Sequence, residues 1–199
     1  MKVSRVLALA LVVPAGLAAQ QPAGAPPANP LTATFSARIL PLHRNLAQAF
    51  DSIPADKFGF KPTPAQQTIG YIANHLASDN YFFCNAFGEM KATRAEEDTA
   101  TPDSVKATWP KDKLVAKLKE SFTFCATALN QLDDAKLAEQ MSVTAGGQTR
   151  QVTRAARVLG HAMDMADHYS QLANYMRLNG ILPPTALPRP GRSGGAGTK

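Results

Sequence analysis

Four long segments of this chain place apolar residues at the three- and four-residue spacing of an amphipathic helix. The spacing predicts helices over residues 31–52, 65–90, 111–133 and 153–178. The rest of the sequence lacks the strong alternation of apolar and polar residues that is typical of strands. Because helices with one apolar face bury it against one another, the pattern predicts an all-α four-helix bundle. The long connections leave the topology of the bundle open.

Local signals refine these boundaries. Thr68 predicts a cap or early-turn residue for the second helix, and the pair Asn179–Gly180 predicts the end of the fourth. Pro41 predicts a kink or a late start in the first helix. The pair Gly146–Gly147 predicts a turn, with a small hairpin within residues 137–152.

The chain begins with the pattern of a secretory signal peptide, which we assign to residues 1–19. Lys2 and Arg5 precede a short apolar run, and small residues follow it where a signal peptidase would cut. The run is too short for a permanent membrane helix. We therefore expect a secreted or periplasmic protein with no stable membrane span.

Composition divides the remainder into three parts. Residues 20–30 are rich in Pro, Ala and Gly and predict a flexible leader, residues 31–184 form the helical domain, and residues 185–199 predict a disordered tail. The formal net charge is +6, but five of the 21 basic residues lie in the signal peptide and tail, which leaves 16 against 15 acidic residues. A nearly neutral domain without a basic, aromatic-rich motif argues against nucleic-acid binding.

Cys84 and Cys125 are the only two cysteines. In an exported protein an even pair favours a disulfide, and the alternative is a pair of buried free thiols. A bridge across a loop of this length would stabilise the fold by about 4 kcal/mol in the chain-entropy model.

The fourth predicted helix carries His161, Asp164 and His168 near its apolar stripe. Residues three, four and seven apart share a helix face, and imidazole and carboxylate groups are common metal ligands. His161 and His168 are separated by about 10.5 Å of helix rise, too far for one ion on a straight helix. The spacing thus favours Asp164 with His168, or His161 with Asp164. The alternative interpretation is a polar flank that faces solvent.

His75 lies on the second predicted helix, among apolar residues. Asp79 follows one turn later and could orient the imidazole ring of His75, as a carboxylate often does beside a metal ligand. A lone histidine in such a stretch is also compatible with an ordinary core or rim position.

Two motifs, HLASDNYFFC and DHYSQLANYMRLNGILPP, resemble the DinB-like superfamily of metal-binding helical proteins, and in particular its exported members with two cysteines. The resemblance implies a four-helix bundle that holds a divalent metal, zinc or nickel, through three histidines, with a glutamine after the last. His75, His168 and Gln171 match that pattern. Asp164 stands where the family has its middle histidine.

The departure at Asp164 has two interpretations. Asp164 would supply an oxygen ligand, giving two histidines and one carboxylate with open coordination positions and making iron or manganese alternatives. Otherwise the site is degenerate and binds no metal. His161 could serve as the third ligand if the helix is distorted there.

The resemblance implies a thiol-type transferase or isomerase that acts through the metal, and an open coordination position would also permit a metal-dependent hydrolase. The expected partner is a small-molecule substrate. No catalytic residue is identifiable from the sequence. The alternative is a non-catalytic, disulfide-stapled binding protein with a vestigial metal site. Apolar helix faces also make a homodimer an expectation.

Overall fold

A computed structural model describes residues 27–188. The predicted signal peptide and most of the predicted leader and tail lie outside the described residues. In chain order the elements are α1 (Pro30–Ser52), a 3₁₀ turn (Ala55–Lys57), α2 (Ile69–Cys84), α3 (Glu96–Ala100), α4 (Asp103–Lys106), α5 (Lys111–Leu129), α6 (Asp134–Leu137), β1 (Gln140–Ala145), β2 (Gln148–Thr153), α7 (Arg154–Leu178) and a second 3₁₀ turn (Pro184–Ala186).

The four long helices α1, α2, α5 and α7 confirm the predicted all-α bundle. The hydroxyl of Thr68 accepts a hydrogen bond from the backbone N–H of Tyr71 at 3.1 Å, so α2 begins after this cap. The prediction of residues 65–90 for this helix was too long at both ends, because turns precede Thr68 and follow Cys84. α1 begins at Pro30 and continues through Pro41, so the helix does not start late.

The helices form a ring in which α1 and α2 lie on opposite corners, each packed against both α5 and α7. α2 and α5 run in the same direction, because Asn80 bonds to Ser121 and Cys84 to Cys125. α7 runs in the opposite direction to α2, because Cys84, at the end of α2, contacts His161 in the first half of α7.

α1 runs opposite to α5. The ammonium group of Lys111, at the start of α5, donates a hydrogen bond to the carbonyl of Ile53, just beyond the end of α1, at 2.7 Å. Further along α5, the ring of Phe122 stacks on His43 in the middle of α1. The long helices are therefore arranged up, down, down and up along the chain.

The predicted hairpin is present as β1 and β2, which pair antiparallel between α6 and α7. Gly146 and Gly147 form its turn with φ angles of 57° and 75°, a conformation that favours glycine and suits a two-residue hairpin turn. Among the described residues, no helix is long and apolar enough to cross a membrane.

The first turn of α2 packs directly on the backbone that follows α4. A Cβ atom added at Gly70 would collide with the carbonyl oxygen of Ala107, whereas one added at Gly59 would meet no atom within 4 Å. We expect Gly70→Ala to lower the free energy of unfolding by about 1–3 kcal/mol, as overpacking does, and Gly59→Ala to leave it nearly unchanged. Urea denaturation of the two variants measures this, and equal midpoints would contradict the close contact.

Candidate metal centre

His75, Asp164 and His168 come together on one wall of the bundle. Each offers a potential ligand atom, and these atoms all lie within 4.8 Å of one another. His75 comes from α2 and the other two from α7, so the antiparallel packing of these helices creates the cluster. The side chains are 33%, 20% and 17% exposed respectively, so the cluster is accessible from one side.

Hydrogen bonds fix the orientation of His168. Its Nδ1 lies 3.2 Å from the side-chain oxygen of Gln171, and the Gln171 amide nitrogen donates to the hydroxyl of Tyr175 at 3.1 Å. Because an amide oxygen can only accept, Nδ1 of His168 carries the proton in this arrangement. Nε2 of His168 then keeps a free lone pair, directed toward Asp164 Oδ1 at 3.5 Å. This is the tautomer that a metal ligand needs.

His75 is held from two sides. Its Nε2 lies 3.3 Å from Asp79 Oδ2, one helical turn away as the sequence spacing predicted. The ring of Tyr71 stacks on the His75 ring, with centroids 6.0 Å apart and planes inclined by 15°. On the cluster side, the ring of His168 meets it edge-on at 4.8 Å. The imidazole of His75 is therefore positioned by packing as well as by charge.

The carboxylates of Asp79 and Asp164 lie close enough to repel each other, and both are partly buried. Burial raises the pKa of Asp164, and the charge of Asp79 raises it further, while the two histidines oppose these effects. Burial likewise raises the pKa of Asp79. Asp164 Oδ2 is buried and has no hydrogen-bond partner among the described residues. A divalent cation would offset the repulsion and occupy that oxygen, so this donor set fits a metal ion.

The structure does not bring His161 to this cluster. α7 is continuous from Arg154 to Leu178, so the distortion that would bring His161 beside Asp164 is absent from it. Instead His161 is fully buried, with Nε2 3.0 Å from Nε2 of His43 and 4.0 Å from Sγ of Cys84. Cys84 and Cys125 are joined at disulfide distance, with Cα atoms 5.2 Å apart.

The sequence analysis did not identify Tyr71 and Tyr175, which contact the first cluster, or His43, which contacts His161. His43 follows Ile39 by four residues and precedes Leu46 by three, so helical spacing places it in the buried stripe of α1. That spacing could have identified His43 as a buried residue from the sequence alone. Nothing in the sequence shows that His43 would face His161, because the contact joins residues far apart in the chain.

The fold and this cluster together define a helical bundle protein with imidazole and carboxylate groups gathered on one wall. A family model described as the DinB superfamily matches residues 39–172. The chain belongs to this superfamily, as the sequence motifs indicated. No curated protein sequence matches it.

Solved structures share the fold. A DinB-like protein from Bacillus cereus aligns with a TM-score of 0.59 at 15% identity, over 75% of this chain and 93% of that one. The DinB-like protein YjoA from Bacillus subtilis aligns with a TM-score of 0.56 at 19% identity, over 78% and 96%. A mycothiol-dependent maleylpyruvate isomerase aligns with a TM-score of 0.55 at 14% identity, over 72% of this chain and 60% of that one. At these identities the likeness concerns the fold alone.

The buried pair of histidines predicts a pH dependence of stability. Burial lowers the pKa of His43 to about 4 and that of His161 to about 3, from an ordinary value of 6.5. As pH falls below about 6.5, these two histidines become protonated in the unfolded chain but stay neutral in the native protein. The free energy of unfolding therefore decreases. Each histidine contributes a slope of up to about 1.4 kcal/mol per pH unit.

Urea denaturation between pH 7 and about pH 4.5 tests this prediction, with His43→Gln compared against wild type. Contributions from Asp79 and Asp164 are common to both proteins and cancel in the difference. We expect the variant to lose close to half of the histidine-dependent slope. Parallel curves for the two proteins would show that His43 takes up its proton as readily in the native protein as in the unfolded chain.

Proposed function

We propose that this protein is an exported member of the DinB superfamily that binds one divalent metal ion through His75, Asp164 and His168. The observation that carries the proposal is the convergence of three donor atoms within 4.8 Å on a partly exposed wall. The partnerless Oδ2 of Asp164 supports it, because a buried carboxylate oxygen is costly unless a donor or cation satisfies it.

Two imidazoles and one carboxylate leave coordination positions open for water or substrate. Zinc or nickel is the first expectation from the family pattern, and the carboxylate makes iron or manganese alternatives. Such an ion, when bound, polarises a substrate oxygen and lowers the pKa of a bound water or thiol. Around it, Gln171 and Tyr175 would hold the tautomer of His168, and Asp79 would hold His75.

A cavity of about 840 Å³ adjoins the cluster through Tyr71, whose ring both stacks on His75 and lines the cavity. Phe58 and Trp109 add aromatic lining, whereas His75, Asp164 and His168 do not line the cavity themselves. The volume is in the range of small-molecule sites, and apolar walls beside a few polar groups are typical of them. We therefore propose that a small organic substrate binds in this cavity and reaches the metal past Tyr71.

We propose hydrolysis as the reaction class, with thiol-type transfer second. Water is available to an exported protein, whereas the cytoplasmic pool of small thiols is not. We propose thiol-type transfer as the second reaction class because the chain shares its fold with a mycothiol-dependent isomerase. No described side chain is assigned as a general base.

A non-catalytic binding protein with a vestigial site is the second candidate. The observation that favours it is that each histidine already faces a carboxylate, His75 facing Asp79 at 3.3 Å and His168 facing Asp164 at 3.5 Å. In this candidate an N–H of each ring donates to its carboxylate, and that hydrogen bond takes the place of the ion. Under this alternative, chelation would leave both the fold and partner binding intact.

Elemental analysis of protein purified without chelator or affinity metal tests the metal site. We expect about one ion per chain in the wild type, and its loss in His75→Ala and in His168→Ala, because each removes a ligand. Asp164→Asn should weaken binding at least about tenfold, since an amide carries no charge.

Asp167→Asn is the matched control, because Asp167 lies on the same helix but is exposed. Full metal content in His168→Ala would refute the ligand assignment. A metal-free wild type that does not take up added zinc, nickel, iron or manganese would favour the vestigial site.

Export has its own test. Expression of the full chain with its N-terminus intact, followed by fractionation and N-terminal sequencing, should give a mature protein outside the cytoplasm that begins near residue 20. An uncleaved chain confined to the cytoplasm would contradict the prediction, whatever its metal content.

A further inference from the structure

A second set of metal-binding side chains lies in the bundle core, apart from the site above. Sγ of Cys84, Sγ of Cys125 and a ring nitrogen of His161 all lie within 4.8 Å of one another. Nε2 of His43 is 3.0 Å from Nε2 of His161. These four residues come one each from α2, α5, α7 and α1; the two cysteines and His161 form the 4.8 Å group, and His43 adjoins it through His161.

The donor types and spacings suit a tetrahedral zinc site. Zinc–nitrogen bonds of about 2.0–2.1 Å and zinc–sulfur bonds of about 2.3 Å place neighbouring ligand atoms about 3.3–3.8 Å apart. The nitrogen–nitrogen distance of 3.0 Å and the sulfur–nitrogen distance of 4.0 Å lie on either side of that range. The two sulfur atoms, bonded in the disulfide, would have to separate.

A purely structural role does not explain why a histidine occupies position 161 in the core. It is fully buried beside the rings of Phe83 and Phe87, and its Nδ1 has no hydrogen-bond partner among the described residues. Buried polar atoms are nearly always paired, and an apolar side chain would fill this space without that cost. Its other nitrogen, Nε2, faces both His43 and Cys84.

We propose that reduction of the Cys84–Cys125 disulfide converts this cluster into a buried zinc site, with Cys84, Cys125 and His161 as ligands and His43 completing the fourth position. A dithiol reductant supplies two electrons and two protons, the S–S bond breaks, and the reductant becomes a disulfide. Zinc then displaces the two thiol protons, which pass to solvent, and the histidines bind through neutral nitrogens. Oxidation by a disulfide reverses these steps and releases the ion.

A surface groove approaches the cluster at His43. His43 lines an open groove between α1 and α5, whose walls include Leu40, Ala47 and Phe122. The buried ring of His43 thus separates the groove from His161. The zinc form would join all four long helices at one point, whereas the disulfide joins only α2 and α5.

Cobalt(II) distinguishes this site from the first one, because only the core cluster contains sulfur. Full-length protein is reduced with a phosphine under anaerobic conditions and titrated with cobalt(II), then with zinc(II). We expect sulfur-to-cobalt charge-transfer absorption at about one ion per chain, bleached by zinc and absent from the oxidised protein. His75→Ala/His168→Ala should leave this absorption unchanged, so the result is independent of the first site.

Ligand variants complete the test. Cys84→Ala and Cys125→Ala should weaken or abolish the absorption, and His161→Gln and His43→Gln should each lower zinc affinity at least about tenfold. Far-UV circular dichroism confirms that each protein remains helical. A reduced, helical wild type without the absorption would overturn the proposal. The proposal would also be overturned if His161→Gln kept both the absorption and the wild-type affinity for zinc. The thiols would then bind the ion without the histidine.

Discussion

The antiparallel contact between α2 and α7 organises the chemistry of this protein. One end of the contact brings His75 to Asp164 and His168, and the other brings Cys84 to His161. His161 and His168 are seven residues apart on α7, about 10.5 Å of rise, which keeps the two clusters distinct. A shift of α7 by one turn along α2 would dismantle both. The register of these two helices is therefore the constraint on which both ligand clusters depend.

The fold was predictable because its determinants are local. Apolar spacing predicted the four long helices, and Thr68 and the pair Gly146–Gly147 predicted a helix cap and a hairpin turn that the structure contains. The end of α2 was not predictable in the same way. The apolar pattern continues past Cys84, but the backbone there forms tight turns, with Phe87 N–H bonded to the carbonyl of Cys84. Tertiary packing decides where such a helix ends, and the spacing of apolar residues along the sequence carries no information about that packing.

The candidate metal centre was predictable only in part. Family motifs placed His75 and His168 in one site, and helix geometry separated His161 from His168. The actual position of His161 depends on α1, and no local pattern relates it to His43. Helical spacing assigns a residue to a face, but the partner across that face is set by the packing of the whole bundle. The pairing of His43 with His161 therefore required three-dimensional information.

The parallel course of α2 and α5 has a consequence for how this protein could diversify. Two neighbouring helices that point the same way cannot be joined by a short turn, so the chain must return along the full length of the bundle. That return carries α3 and α4, and it supplies Ser104 and Trp109 to the cavity wall. His75 and His168 belong instead to the long helices. Substitutions in the returning segment can thus change the shape of the cavity while the register of the long helices remains intact, so the cavity and the scaffold can evolve separately.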